Sequence, residues 1–306
     1  MNKMNLLFIG VSSFTGFHFV KKISETNKFK IYCTLTKNLN DYRSERLERI
    51  RLISKNKNVV LVKKTKFGDK KFINLLSKTK FNIICFHHAV TKNYKDDLKF
   101  NLSKSINENT INIDKVFNKI YSDTKIVVSN TIFQKVKDKG YDNFSKYGIS
   151  KDSSYKKIKL YCKKHRLKLK SIFITNPWGI LEEKKLNYYL IYNWLQNKKA
   201  FISHPAYIRD NIYIDKLSAH YLKVINSGSK KIDYFPSGYC SSNKVFIEAF
   251  KVKFEKFFNI KAEVQYATKT KYIQPICRIN GKKINEKITL KEDLNKYFLT
   301  YKNLFK

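Results

Sequence analysis

Leu6-Leu7-Phe8-Ile9-Gly10-Val11-Ser12-Ser13-Phe14-Thr15-Gly16 is the stretch on which the fold turns. Four apolar residues run without a polar break, as in a strand buried on both faces, and then meet a glycine. Helix-like spacing follows at once, with Phe19, Val20 and Ile23 on one face. A strand that feeds a helix through such a turn brings backbone N–H groups and the positive helix end to one place. Gly10 permits the tight turn and Gly16 the close packing of helix on strand, so Gly10, Ser13, Phe14, Thr15 and Gly16 are candidate contacts for a pyrophosphate. Taken alone, the spacing fits an ordinary strand-to-helix turn equally well.

Outward from this turn the same alternation continues. Strands are predicted at Leu6–Ile9, Lys30–Leu35, Val59–Val62, Ile83–Phe86, Ile126–Val128 and Ser171–Thr175, with helix-like segments between them. Continuous apolar strands alternating with helices predict an α/β fold, a doubly wound parallel sheet of the Rossmann type. After about residue 176 the pattern loosens, and three of the four prolines (Pro177, Pro205, Pro236) fall between 176 and 240. A smaller C-terminal α/β part is therefore expected. The division reads as 1–175 for the dinucleotide-binding domain, completed by about 209–228, and 176–208 with 229–306 for a substrate-binding part.

The chain has 306 residues, 42% of them hydrophobic, enough for a sizeable core. No apolar run approaches a membrane span, and the N-terminus reads as a strand rather than a signal peptide. Five scattered cysteines lack metal-ligand or CxxC spacing and suggest free thiols in a reducing cytoplasm. The formal charge of +39 invites a nucleic-acid or membrane reading. The lysines are spread along the whole chain, however, beside equally heavy use of Asn, Ile, Phe and Tyr. The charge thus reads as compositional, with neither nucleic acid nor membrane as partner; an anionic small substrate would suit it.

Tyr147-Gly148-Ile149-Ser150-Lys151 carries the candidate chemistry. Four residues apart on a helix, Tyr147 and Lys151 share a face. A nearby ammonium favours the phenolate, which makes Tyr147 a candidate proton donor and acceptor. In a chain with 20 tyrosines the pair could also be an ordinary surface pair. Ser129, at the end of the predicted strand Ile126–Val128, adds a hydroxyl where a doubly wound sheet presents its active-site groups. After the second strand Thr36 and Lys37 stand where an acidic residue would hold an adenosine ribose, which tilts the expectation towards NADP over NAD.

With these residues in place, nearly the whole chain resembles the extended short-chain dehydrogenase/reductase family, the nucleotide-sugar epimerases, dehydratases and reductases. Gly10-x2-Ser13-x2-Gly16 is similar to the family's GxxGxxG, with Ser13 in place of the middle glycine. His87-His88-Ala89-Val90 resembles HxAA, and Asn109-Thr110-Ile111-Asn112 resembles GTxN with Asn109 for glycine. Ser129 and Tyr147-x3-Lys151 match the catalytic Ser/Thr and YxxxK. Asn176-Pro177-Trp178-Gly179, Arg209-Asp210-Asn211-Ile212-Tyr213-Ile214-Asp215 and Pro275-Ile276-Cys277-Arg278 resemble the substrate half, and the segment from Arg209 is close to RDxIYVxD.

The resemblance implies catalysis by Ser129, Tyr147 and Lys151. It implies cofactor contacts from His88 and Ala89 as well as the turn, Thr36, Lys37, Tyr147 and Lys151. Substrate contacts are implied at Ser129, Asn130, Asn176, Arg209 and Arg278, with the arginine fork of Arg209 on a pyrophosphate. Asn130 and Thr131 replace the Asp-Glu pair of dehydratases, which disfavours 4,6-dehydration. The expected function is oxidoreduction at C4 of a nucleotide-activated sugar. Reduction of a 4-keto-6-deoxy sugar comes first; a 4-epimerase with retained NAD and a non-catalytic nucleotide-binding protein are the alternatives. A homodimer is expected only by analogy.

Overall fold

The structure is a computed structural model that describes residues 3–94, 96–136, 140, 142–269, 271, 274–288 and 290–304. Along the chain it forms β1 (Met4–Ile9), α1 (Phe14–Ser24), β2 (Phe29–Thr34), α2 (Ser44–Ser54), β3 (Val59–Val62), α3 (Lys70–Lys78) and β4 (Ile83–Phe86). There follow α4 (Leu102–Thr110), α5 (Ile113–Phe117), β5 (Lys125–Thr131), α6 (Lys146–Lys164), β6 (Lys168–Ile174), β7 (Asn176–Trp178), α7 (Leu186–Leu195) and β8 (Ala200–Ile202). The last are β9 (Ile208–Tyr213), α8 (Ile214–Asn226), β10 (Asp233–Tyr234), β11 (Tyr239–Ser242), α9 (Asn243–Phe258), β12 (Val264–Tyr266), β13 (Cys277–Arg278) and α10 (Lys291–Leu304).

The first of two compact units comprises the chain up to Ile174 together with Ser218–Phe235. Its seven-stranded sheet runs β10-β6-β5-β4-β1-β2-β3, and every neighbouring pair is parallel. All six strands predicted from apolar runs are present, and the fold is the doubly wound α/β sheet that they implied. Strand order reverses between β1 and β4, which makes their carboxyl ends the switch point where such sheets take ligands. Gly10 and His87 follow those two ends directly. One sheet face packs Leu7, Ile84, Phe86, Ile126 and Val128 against Phe72, Phe117 and Ile158 of the helices. On the other, Tyr221 stacks on Phe19 with ring centroids 4.0 Å apart.

Two local devices fix α6. Ser145 caps it by accepting the Gly148 amide, 3.1 Å away. Gly148 itself lies against the Phe133 carbonyl so closely that a Cβ there would stand 2.0 Å from the oxygen. The helix start therefore closes directly onto the turn that leaves β5. Further along, Tyr155 and Ser171 both donate to Asp233 Oδ1, at 2.7 and 2.6 Å, which joins α6, β6 and β10.

The second unit comprises Thr175–Leu217 and the chain from Pro236 onward. Its sheet centres on β9, antiparallel to β11 and parallel to β7 and β13, with a small parallel β12–β8 ribbon beside it. Its core is aromatic, built on Trp178, Trp194, Phe246, Phe250, Phe254 and Tyr297. The sequence placed 209–228 with the first domain and 229–235 with the second. Instead β9 pairs within the second unit, and β10 extends the large sheet, because β-ladder hydrogen bonds rather than motif membership decide where each belongs. Among the described residues no helix is long and apolar enough to cross a membrane, and all five cysteines are free thiols.

Asp210 holds the second unit's loops. It is fully buried and accepts three backbone amides, from Gly238 at 2.6 Å, Asn280 at 3.0 Å and Gly281 at 3.1 Å. Asp210→Asn turns an NH2 group onto one of those donors and should lower unfolding free energy by about 1–3 kcal/mol. Urea unfolding of the variant checks this; a curve superimposing on the wild type would show that the loops do not depend on this carboxylate.

Candidate active site

The turn after β1 has the shape the sequence suggested. Gly10 sits at φ +104°, and a Cβ there would lie 3.1 Å from the His87 carbonyl group. At Gly16 a Cβ would lie 2.4 Å from the Gly10 oxygen, so helix and strand meet as closely as glycine allows. Ser13 is not aimed outward. Its hydroxyl donates to the Gly10 carbonyl at 2.9 Å, accepts the Gly16 amide at 3.1 Å as the cap of α1, and lies 3.1 Å from His87 Nε2. Arg49, fully buried on α2, donates Nε to the Ser12 carbonyl at 3.1 Å and sets a cation behind the turn. Sequence reading missed Arg49, since nothing in Ser44-Glu45-Arg46-Leu47-Glu48-Arg49 separates it from its exposed neighbours. The glycine cradle, helix amino end and buried guanidinium fit the pyrophosphate of a dinucleotide.

At the neighbouring strand ends, Thr36 and Lys37 are exposed, and Thr36 Oγ1 lies 3.4 Å from the Tyr42 hydroxyl. His88 stacks on Phe67 with centroids 4.5 Å apart and places Nε2 3.1 Å from the Asn109 carbonyl. Asn109 Oδ1 accepts the Val90 amide at 3.0 Å. The asparagine that replaces a glycine of the resembled motif thus pins the loop carrying His88 and Ala89. Burial lowers the pKa of His88 to about 4, so its ring is neutral.

Two of the candidate catalytic residues, Lys151 and Ser129, meet through the serine's backbone. Lys151 is buried and donates Nζ to the Ser129 backbone carbonyl at 2.7 Å. Burial lowers its pKa to about 8. The Ser129 hydroxyl lies 2.7 Å from His87 Nδ1. Tyr147 sits one helical turn before Lys151, its ring between Tyr94, Phe100 and Phe133 at centroid distances of 5.4, 6.1 and 6.2 Å. Burial, with Tyr94 nearby, raises the Tyr147 phenol above the ordinary tyrosine range. Burial therefore opposes the drift towards phenolate that a neighbouring ammonium would bring. The ammonium that was to favour it is hydrogen-bonded to a carbonyl.

Asn130 lines a small cavity with Lys151, His88 and Asn109, but its side chain does not join that of Ser129. Its Nδ2 donates to Ser171 Oγ at 3.3 Å, on the sheet face opposite Ser129, because successive strand residues point to opposite sides. Thr131 is the residue that strand parity puts on the Ser129 side, at the last position of β5, where its Oγ1 accepts the Phe133 amide at 3.3 Å. The period of two was the signal that could have picked Thr131 over Asn130.

In the second unit, Asn176 is exposed and donates Nδ2 to Asn211 Oδ1, while the buried Asn211 Nδ2 has no hydrogen-bond partner among the described residues. Arg209 stacks 4.2 Å over the Tyr207 ring, and its Nη1 donates to the Ile208, Pro275 and Ile276 carbonyls. Ion pairing with Asp210 or Asp215 is not what holds it: Asp210 takes the three amides and Asp215 pairs with Lys296. Arg278, almost fully buried, is the direct register partner of Arg209 across β9 and β13. Register partners project to one sheet face, which sets the two guanidinium side chains side by side. Arg278 indeed adds to the lowering of the Arg209 pKa that burial begins.

The fold and these residues define a doubly wound dinucleotide-type domain with a second small α/β unit. No protein-family model matches the chain, and no curated protein matches its sequence. Solved structures do share the fold. UDP-glucuronic acid 4-epimerase from Bacillus cereus, in complex with UDP-glucuronic acid and NAD, has a TM-score of 0.76 and 14% identity, covering 98% of this chain and 100% of its own. UDP-glucose 4-epimerase from Thermotoga maritima, with UDP-glucose, gives 0.74 and 16% over 99% and 100%. dTDP-glucose 4,6-dehydratase from Bacillus anthracis, in complex with NAD, gives 0.74 and 17% over 98% and 97%. The chain has the fold of these nucleotide-sugar epimerases and dehydratases, as its motifs led one to expect.

Lys151 makes stability depend on pH in a defined way. Well below pH 8 the ammonium exists in folded and unfolded chains alike, and its burial cost is present in full. Between about pH 8 and the ordinary lysine range the folded chain has released the proton while the unfolded chain keeps it, so stability rises with pH. Relative to Lys151→Met, the wild-type unfolding free energy should climb by up to about 3 kcal/mol over that window. Parallel pH curves for the two proteins would contradict a depressed lysine.

Proposed function

We propose that this chain is a nicotinamide-dependent oxidoreductase of the extended short-chain dehydrogenase/reductase type, acting at C4 of a nucleotide-activated sugar. The observation that carries the reading is the buried Lys151–Ser129 contact at the carboxyl end of β5, with Tyr147 one turn earlier on α6 and the glycine turn in the same sheet. The nicotinamide, when bound, exchanges a hydride with the sugar carbon. The chain's own part is the proton and the placement. Tyr147 gives its proton to a ketone oxygen as hydride arrives and, as the phenolate, takes a proton from a hydroxyl as hydride leaves. Lys151 anchors the helix that presents Tyr147. In the second unit, the guanidinium groups of Arg209 and Arg278, side by side in register, suit a diphosphate.

Epimerisation is the form of the reaction we favour, supported by the nucleotide-sugar 4-epimerases among proteins of this fold. Net reduction of a 4-keto sugar is the second reading. It is favoured by Lys37 and by the lack of a carboxylate directly after β2, which suit NADP better than NAD. Incubation with UDP- and dTDP-sugars, followed by product analysis and by the absorbance of reduced nicotinamide, separates the two. Epimerisation converts the sugar with no net cofactor change; reduction consumes NADPH. Tyr147→Phe should lower kcat by at least 100-fold or so while leaving the circular dichroism spectrum unchanged. Full activity in that variant would remove Tyr147 from the reaction. Lys37→Ala should weaken NADP binding about three- to tenfold and spare NAD; an equal loss for both would deny it any role in choosing the cofactor.

A further inference from the structure

His87 touches both the glycine turn and β5. Its Nδ1 lies 2.7 Å from Ser129 Oγ, and its Nε2 lies 3.1 Å from Ser13 Oγ and 3.0 Å from Thr15 Oγ1. The protons of this chain can be placed by counting donors. Ser13 has one hydroxyl hydrogen, and it points to the Gly10 carbonyl at 2.9 Å. Placing the imidazole hydrogen on Nε2 fills the contact to Ser13 Oγ and the one to Thr15 Oγ1, both hydroxyl oxygens then accepting from it. The opposite tautomer would set two lone pairs against each other at 3.1 Å. Burial, with the Lys151 charge close by, lowers the pKa of His87 to about 3, so the ring carries a single N–H. With that hydrogen on Nε2, Nδ1 is bare, and the short contact to Ser129 must be filled by the serine's own proton.

We infer that His87 is a positioning residue that takes the Ser129 proton, so that Ser129 faces a ligand only as a hydrogen-bond acceptor. Ser129 then grips a sugar hydroxyl and not the corresponding ketone. This rests on the function proposed above and refines it. In an epimerisation the ketone must turn over in the site while both alcohols are held for proton transfer. A contact that fastens on the alcohol and lets go of the ketone serves that sequence. It also gives Ser13 a task that a glycine there could not perform, since the Ser13 hydroxyl selects the His87 tautomer.

The test starts without substrate. Protein labelled with 15N in its histidine rings is studied by long-range proton–nitrogen correlation, with the His87 signals assigned from their loss in His87→Gln. The expected pattern is a protonated Nε2 and a bare Nδ1. Ser129→Ala should keep that tautomer, whereas Ser13→Ala should shift it; Ser13→Gly replaces Ser13→Ala if the latter does not fold. A protonated Nδ1 in the wild type, or a tautomer that follows Ser129 and ignores Ser13, overturns the relay. The second arm compares binding of a nucleotide-sugar with its 4-keto and 4-deoxy analogues. Ser129→Ala should weaken the hydroxyl compound about three- to tenfold and leave the other two unchanged. Equal losses for hydroxyl and ketone overturn the acceptor role. If no nucleotide-sugar binds at all, the functional reading fails, while the spectra still decide the relay.

Discussion

A lysine ammonium pressed against a backbone carbonyl is the constraint around which the first unit's candidate site is arranged. Removing a charge from water costs several kcal/mol unless hydrogen bonds replace the lost hydration. Lys151 obtains one of those bonds from Ser129, which fixes α6 at a set distance from β5. Gly148 makes the approach possible, because any larger residue would strike the Phe133 carbonyl. Ser145 starts the helix just early enough that Tyr147 falls within its first turn. Tyr147 is therefore carried on a helix turn anchored by a buried charge, and burial favours the protonated phenol.

The charge that matters chemically is not the charge that dominates the composition. Most of the 63 basic residues are lysines spread along the chain, and exposed lysines are screened and weakly specific. Arg49 behind the glycine turn and the Arg209–Arg278 register pair are different. Arg49 and Arg278 are buried, and Arg209 is half-buried and held by carbonyls. Buried guanidinium groups pre-set in this way attract phosphate with little reordering, whereas a flexible surface lysine must lose rotamer freedom to do the same. Formal net charge could never have located either feature.

What the sequence disclosed was whatever is encoded over short distances. The apolar runs gave every strand of the doubly wound core except the two-residue β10, too brief to leave a periodic trace. The Tyr147-x3-Lys151 spacing gave a helix face, and Gly10 with Gly16 gave the turn. What stayed hidden depends on three-dimensional partners or on strand parity. The partner of Ser129 is 42 residues away in His87. Asn130 was placed in the site because it follows Ser129, yet one step along a strand reverses the side chain. Arg209 stood in a motif assigned to the first domain, while its strand pairs across to β11 and β13.

Ser13 shows why a departure from a motif cannot be scored as a loss before its contacts are known. A side chain at the middle position of the glycine turn adds bulk where a pyrophosphate would approach. The hydroxyl instead folds back, caps α1, and satisfies the Gly10 carbonyl within the turn. The outward surface stays backbone, which is the condition for close approach of an anion. The same inward turn joins the loop to His87 and through it to Ser129. A glycine would leave the turn and the strand end as neighbours without a hydrogen-bonded link. The serine makes them one connected network, so that the geometry of the turn bears on which proton Ser129 can offer.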